Sequence, residues 1–189
     1  MTRYRLGLDL RLLQHSGIGT YLRGLLSGFQ KLGLDQDLTL FGIPEGGLPF
    51  SAMSSPKSSI GSSPAGLSLK TCRDDKTVEF TAPIYSLREQ FQYPARLRQC
   101  RLWHAPHYNV PLWKGKTKLV VTIHDIIHWI FRKQFLSSVQ IAYAGFMFKK
   151  VLTIADQIIA VSHHTKKDLM DHFHAPEQKA AAETAIRDL

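Results

Sequence analysis

The stretch KLVVTIHD, residues 118–125, decides the fold, because an apolar β-type run ends abruptly in a histidine and a carboxylate. In α/β proteins, the side chains that follow the carboxyl end of a parallel strand face the ligand crevice. The start of the chain shows the same arrangement. There RLGLDL, residues 5–10, runs into Arg11 and then into the glycine turn HSGIGT, residues 15–20. The sequence therefore predicts two strand ends that point at one candidate site.

Strands and helices alternate along most of the chain. Apolar spacing predicts strands at residues 3–10, 37–43, 78–84, 102–105, 118–124 and 156–161. It predicts helices at residues 18–32, 86–97, 137–155 and 163–173, with Gly33 as a C-terminal cap and Ser162 as an N-terminal cap. This alternation is typical of one α/β domain with a doubly wound, mostly parallel, Rossmann-like sheet.

Three segments depart from the simple alternation. Residues 44–66 are rich in Ser, Gly and Pro, which predicts a flexible loop. The run IAYAGFMF, residues 141–148, is apolar all the way round, so we expect it to be buried on more than one side or to await a partner. The alanine-rich residues 177–189 favour a helix without another strand. We therefore assign residues 1–176 to the domain and treat the rest as a helical tail.

Composition limits the partners and the compartment. The chain of 189 residues has 24 Lys and Arg against 15 Asp and Glu, and this net charge of +9 favours an anionic partner. No basic and aromatic stripe or zinc-finger spacing indicates nucleic acid, so a phosphate-bearing small molecule or an anionic membrane surface is expected. Two cysteines form neither a disulfide framework nor a metal pattern. We expect a cytoplasmic protein, soluble or peripheral at the inner membrane face, since no apolar run reaches the roughly 18 residues of a spanning helix.

The glycine turn permits two interpretations. Gly17 and Gly19 follow a strand directly, and glycine lets the backbone approach a ligand while the helix N-terminus offers unpaired N–H groups. The dinucleotide fingerprint, however, needs a third glycine where Leu22 stands, and no P-loop lysine follows. From the residues alone, an anion-binding turn and a tight structural turn both stay open.

The histidines suggest a polar site rather than a metal site. His124-Asp125-x-x-His128 superficially matches a two-histidine zinc helix, but His124 ends a strand, whereas that motif needs both histidines on one helix. The pair His104-x-x-His107 is equally weak, so no metal is predicted. His124 is the best candidate for a functional role. Asp125 either orients its imidazole or caps the next turn, and the cap is favoured.

Two further loops follow predicted strands. YSLREQ, residues 85–90, offers Arg88 and Glu89 to a ligand, but a capping box of Ser86 with Glu89 explains the spacing and is favoured. HAPHYN, residues 104–109, combines aromatic and amide groups that suit sugars.

Taken in order, these motifs resemble the amino-terminal domain of the GT-B fold glycosyltransferases of family 4, over residues 3 to about 176. The motifs are GLDLR with HSGIGTYLRGLL, YSLREQ, LWHAPHYNVP, VVTIHDIIH and ADQIIAVSHHTKKDL. The resemblance implies half of a GT-B fold, in which two Rossmann-like domains face each other across a cleft. In that family the amino-terminal domain binds mainly the acceptor. The carboxyl-terminal domain binds the nucleotide sugar and transfers it with retention of configuration.

The resemblance also implies roles for individual residues. Gly17, Gly19 and Thr20 are expected near the donor diphosphate, and His124 near the transferred sugar or the acceptor. Further polar side chains are expected to line the cleft, namely Arg11, His107, Tyr108, Asp125 and Ser162.

By the same resemblance we expect a metal-independent hexosyltransferase of polysaccharide biosynthesis, with no cofactor. Its partners are a nucleotide-sugar donor and a glycan or lipid-linked acceptor. The family's donor-binding carboxylates and the basic pair that stabilises the leaving diphosphate belong to the second domain, which is expected to begin where this chain ends. Three interpretations stay open: an enzyme assembled with a separate carboxyl-terminal half, a carbohydrate or lipid-carrier binding module, and an inactive fragment. We expect the isolated chain to be inactive.

Overall fold

The computed structural model describes residues 5–34, 37–42, 77–84 and 86–182, so the predicted loop at 44–66 lies outside the described residues. Within this part of the chain, seven strands form one sheet in the order β3-β2-β1-β4-β5-β6-β7, and every neighbouring pair is parallel. The strands are β1 (Leu6–Asp9), β2 (Leu38–Phe41), β3 (Thr77–Val78), β4 (Leu102–Ala105), β5 (Lys118–Ile123), β6 (Gln157–Ala160) and β7 (Ala180–Ala182). The doubly wound α/β architecture is thereby confirmed.

The helices connect these strands and cover the sheet. They are α1 (Ser16–Lys31), α2 (Leu87–Leu97), α3 (Ile127–Ile130), α4 (Arg132–Phe135), α5 (Ser138–Ile154) and α6 (His163–Phe173). Two apolar clusters form the core. One contains Leu22 of α1 with Leu8 of β1, and the other contains Trp103 of β4, Val121 of β5 and Met147 of α5. Of the described helices, none is long and apolar enough to cross a membrane.

Both predicted helix caps are observed. Gly33 follows α1 with a φ of 67°, and the next N–H, that of Leu34, donates to the carbonyl of Phe29 at 2.9 Å. This left-handed turn favours glycine because an L side chain would be strained there. At the start of α6, the Ser162 hydroxyl accepts the backbone N–H of Thr165 at 3.0 Å. Local sequence alone was sufficient for both caps.

The predicted helical tail is wrong where the structure describes it. Ala180–Ala182 forms β7 and pairs in parallel with residues 158–160 of β6, and Ala180 is buried. The helix propensity of alanine is a weak preference, and it yields here to backbone hydrogen bonds along an open sheet edge. The sheet therefore continues past residue 176. Residues 183–189 lie outside the described part of the chain.

Two other elements differ from their predictions. The strand predicted at 78–84 is observed only at Thr77–Val78, because the chain then turns inward and packs Phe80 against Tyr93. The apolar helix α5 buries one face only, since Phe148 is buried whereas Phe146 is 53% exposed. Of the two expectations for α5, burial on more than one side is therefore not observed.

Candidate active site

The carboxyl ends of four neighbouring strands meet at one edge of the sheet. In the order β3-β2-β1-β4-β5-β6-β7 the direction of winding reverses between β1 and β4. Ligands of open α/β sheets bind at such a switch point, outside the carboxyl ends of the strands. Four residues of the predicted site follow these ends: Arg11 after β1, His107 after β4, His124 after β5 and Ser162 after β6. The topology therefore brings together residues that are up to about 150 positions apart.

His124 is held at this edge by three contacts. Its Nε2 lies 3.1 Å from the Pro106 carbonyl, and its own carbonyl accepts the Thr165 hydroxyl at 3.0 Å. The Tyr21 ring meets the imidazole edge-on, with 5.2 Å between ring centroids. A carbonyl only accepts hydrogen bonds, so Nε2 is assigned the proton and Nδ1 of the neutral ring is an acceptor. Burial lowers the pKa of His124, which favours this neutral form.

A buried polar cluster lies directly behind His124. His104 Nε2 is 2.8 Å from the Thr122 hydroxyl, which is 2.9 Å from the Tyr21 hydroxyl. Burial, with a smaller Coulombic effect of His124, lowers the pKa of His104 to about 4. The cluster joins β4 and β5 to α1 and fixes the Tyr21 ring against His124. Sequence analysis missed it, because Tyr21 lies on the apolar spacing of α1 and shows no sign of a polar partner.

His107 is a second neutral imidazole at the edge. Its Nδ1 accepts the backbone N–H of Asn109 at 3.3 Å. Burial, followed by the Coulombic effects of His124, His15 and His128, lowers the pKa of His107 to about 3. The charges of His15, His124 and His128 are therefore within electrostatic reach of His107.

Tyr108 packs on the protein itself. Its ring stacks on Phe148 of α5, with 4.5 Å between centroids, and lies 4.0 Å from the His107 ring. The structure thus places Tyr108 beside the edge, where it supports the His107 loop against α5. Its role in lining a cleft stays a prediction.

The two glycines of the turn occupy different surroundings. An added Cβ at Gly19 would lie 2.1 Å from the Leu13 carbonyl oxygen, whereas at Gly17 no atom lies within 4 Å of it. Packing therefore requires Gly19, while Gly17 is open to solvent or to a ligand. His15 precedes α1 without a side-chain cap, and the first turn of the helix contains no acidic residue. The backbone N–H groups of the first turn of α1 are therefore suited to bind an anion.

A cation at the same turn was missed by the sequence analysis. Arg23 donates from Nη1 to the Leu13 carbonyl at 3.2 Å and from Nη2 to the Thr20 hydroxyl at 3.0 Å. Thr20 in turn donates to the Ser16 carbonyl at 2.8 Å. The spacing of TYLRG gives the only available signal, because Arg23 lies one helical turn after Gly19 on the same side of α1.

Arg11 lies inside the protein, in a buried ionic network. Its Nη2 is 2.6 Å from Asp9 Oδ2 and 2.8 Å from Glu89 Oε1, and its Nη1 donates to the Ala82 carbonyl at 3.1 Å. Its guanidinium also lies 3.8 Å from the centroid of the Phe80 ring. Burial alone would lower the pKa of Arg11, but the hydrogen bond and the charge of Asp9 raise it above its ordinary value. The role of Arg11 in a cleft remains a prediction.

Glu89 extends this network to the loop after β4. Its carboxylate is fully buried, accepting the Tyr93 hydroxyl at 2.7 Å and Asn109 Nδ2 at 2.6 Å. The backbone N–H of Glu89 does donate to Ser86, as the predicted cap requires, at 3.2 Å. The side chain, however, turns inward to Arg11, so the second half of the capping box is not observed. One arginine therefore neutralises only one of two buried carboxylates.

Asp125 and Ser162 bond to the helices that follow them. Asp125 Oδ1 accepts the N–H of Ile127 at 3.0 Å and so closes the turn that leads into α3, whose N-cap residue is Ile126. It also raises the pKa of His124, against the larger effect of burial. Ser162 caps α6. The part of the chain that the structure describes contains no group of three His, Cys, Asp or Glu side chains arranged to hold a metal ion.

A doubly wound sheet with polar side chains gathered at its switch point is typical of α/β domains that bind small molecules. The sequence model of Glycosyltransferase Family 4 matches residues 15–181, so the chain belongs to that family. No curated protein matches it. Among solved structures it is similar to a glycosyltransferase from Rickettsia africae ESF-5, with 14% identity and a TM-score of 0.46. That similarity covers 96% of this chain, which spans 43% of the other.

Removal of the Arg11 charge should be strongly destabilising. We expect Arg11→Met to lower the free energy of unfolding by about 3–5 kcal/mol, because it leaves Asp9 and Glu89 buried without a counter-charge. Glu89→Gln keeps the shape and leaves the Asp9 and Arg11 charges balanced, so its loss should be smaller. Urea unfolding of the three proteins measures both differences. Lys167→Ala, which breaks an exposed pair with Asp171, is the control, and a loss for it as large as for Arg11→Met would contradict the assignment.

Acid should destabilise the fold through its buried histidines. As pH falls from about 6.5 to about 4, the unfolded chain binds a proton at His104 that the folded chain excludes, so stability decreases with falling pH over this window. His104 alone should account for ~3 kcal/mol of the change in unfolding free energy. Urea titrations across the window should show a shallower pH dependence for His104→Gln. The exposed control His172→Gln should leave the slope as it is, and an unchanged slope for His104→Gln would show the prediction to be wrong.

Proposed function

We propose that this domain forms the acceptor side of a retaining glycosyltransferase, which transfers a hexosyl group from a nucleotide sugar to a glycan or a lipid-linked acceptor. Membership of Glycosyltransferase Family 4 supports the reaction class. Donor sugar, acceptor and retention are proposed from the family resemblance. The observation that carries the proposal is the neutral His124, fixed by three contacts at the switch point of the sheet.

The proposed chemistry divides between two elements of the edge. The Nδ1 atom of neutral His124 accepts a hydrogen bond from a hydroxyl of the transferred sugar or of the acceptor. The N–H groups of the first turn of α1, around Gly17, lie against the donor diphosphate, where the positive end of the helix dipole offsets its charge. Arg23 adds a positive charge one turn away. In this proposal the reaction needs no metal ion, since these donors and those of a second domain stabilise the leaving diphosphate.

Two buried carboxylates, those of Asp9 and Glu89, lie close to the proposed site. Asp9 and Glu89 are covered by protein and bonded to Arg11, so their negative charge does not face the diphosphate directly. His107 and His124 at the edge are neutral imidazoles, and Asp125 beside His124 is an exposed carboxylate. The proposed position of the anionic donor is therefore the helix N-terminus at Gly17 rather than the end of β5.

The glycine turn gives a direct test of anion binding. Titration of the 189-residue chain with a nucleoside diphosphate, followed by amide NMR shifts, should move the signals of residues 16–20. Gly17→Val should weaken this binding without loss of stability, because its side chain enters open space where the ligand approaches. Gly19→Ala should instead lower stability, since its Cβ collides with the Leu13 carbonyl. If the amides of residues 16–20 stay unshifted while others move, the phosphate cradle is wrong.

His124 should matter more for transfer than for folding. In a chain that also carries a family 4 donor-binding domain, His124→Ala should lower the rate of transfer at least about tenfold, the value of one lost hydrogen bond. The midpoint of thermal unfolding should change little, because the side chain is only half-buried. His172→Ala, exposed in the last turn of α6, is the matched control. Full activity of His124→Ala with a much lower melting temperature would contradict the proposed role.

A further inference from the structure

The outer face of α2 exposes large apolar side chains. Leu87 and Phe91, one helical turn apart, are 81% and 84% exposed. Between them, Gln90 donates from Nε2 to the Val110 carbonyl at 3.2 Å and accepts the N–H of Leu112 at 2.8 Å. These bonds fix the loop after β4 against the helix. The exposed face of α2 and this loop therefore form one continuous surface.

The same loop carries an exposed tryptophan at the mouth of a basic groove. Trp113 is 67% exposed. It lines a groove of about 830 Å³ that runs from the end of α2, at Pro94, to the first residues of β4 and β5. Five cationic residues line this groove, namely Arg98, Arg101, Lys114, Lys116 and Lys118. None of the described residues that line it is acidic.

One carboxylate, Asp156, bonds to two of the lysines that line the groove. Asp156 bonds to Lys114, to Lys118 at 3.0 Å and to the backbone N–H of Leu119 at 2.8 Å. Partial burial would raise the pKa of Asp156, but the two lysines and the backbone bond hold it at about 2. Two of the five cations are thus bonded to Asp156, and the groove is basic over its described lining.

Apolar side chains that project among cations match an anionic bilayer. Aromatic and aliphatic side chains gain free energy by leaving water for the acyl boundary, while cations beside them meet lipid phosphates. A symmetric contact between two copies would instead place the five cations of one against those of the other. Nucleic acid would satisfy the cations but would leave Leu87 and Phe91 without an apolar environment. The combination therefore favours lipid.

We propose that this α2 surface, formed by Leu87, Phe91, Leu112 and Trp113 with Arg98 and Lys116, docks the domain on an anionic membrane. The groove opens at the amino ends of β4 and β5, whereas the candidate active site lies at their carboxyl ends. Leu87 begins α2 two residues before Glu89, close to the carboxyl edge, so the proposed surface extends along α2 from that edge to the groove. The inference depends on exposed apolar area and charge alone, so it stands or falls independently of sugar transfer.

Vesicle co-sedimentation of the 189-residue chain tests the electrostatic part. The chain should bind vesicles of phosphatidylcholine with about a third phosphatidylglycerol, weakly or not at all those of pure phosphatidylcholine, and less as salt rises. Arg98→Glu with Lys116→Glu should weaken binding at least about twenty-five-fold, since each cation at an anionic surface contributes about a factor of five. Lys149→Glu with Lys150→Glu on α5 makes the same change in net charge and should weaken binding far less.

A second pair of variants tests the apolar part. Phe91→Ser with Trp113→Ser should weaken binding to the anionic vesicles and leave the melting temperature unchanged, because both side chains project into solvent. Phe146→Ser, at a 53% exposed position on α5, is the matched control. Equal binding to neutral and anionic vesicles, or equal losses in the control variants, would overturn the proposal. So would a dimer on size exclusion that Phe91→Ser with Trp113→Ser dissolves while the chain ignores vesicles, which would assign this surface to a second copy.

Discussion

The carboxyl edge of this domain depends on the guanidinium of Arg11. It bonds Asp9 at the end of β1, the Ala82 carbonyl after β3 and Glu89 on α2. Glu89 in turn accepts a hydrogen bond from Asn109, in the loop after β4. Burying such charges costs several kcal/mol per ion, so the network is stable only while each carboxylate keeps its donors. Its contribution is therefore geometric. It fixes the relative positions of α2 and of the segments that follow β1, β3 and β4, next to the candidate site.

A second constraint keeps three imidazoles at or behind this edge uncharged, those of His104, His107 and His124. Burial is the largest cause of the lowered pKa of His104, His107 and His124, and the proximity of the rings adds to it. A neutral imidazole donates at one nitrogen and accepts at the other, so it can bind a sugar hydroxyl in a defined orientation. The α1 N-terminus provides the positive potential that neutral rings lack. In our proposal, adjacent elements of one edge therefore bind the sugar hydroxyl and the anion.

Our two proposals assign different roles to two surfaces of the domain. At the carboxyl ends, buried charges and neutral histidines present a site for sugar and diphosphate. At the amino ends, the groove beside α2 carries cations and the exposed Trp113, and Leu87 and Phe91 extend this proposed docking surface along α2.

The sequence by itself determined what depends on neighbouring residues. Strand ends such as VVTIHD, the caps at Gly33 and Ser162, and the parallel alternation follow from periodicity and turn chemistry over a few positions. The tertiary structure decided what depends on distant partners. Glu89 forms a network with Arg11, 78 positions away, instead of a capping box, and Tyr21 joins Thr122, 101 positions away. The alanines of β7 form a strand because an edge of the sheet was open to them. Local propensity contributes less free energy than the pairing of a buried charge or a row of backbone hydrogen bonds. Both of these depend on partners that are far apart in the sequence.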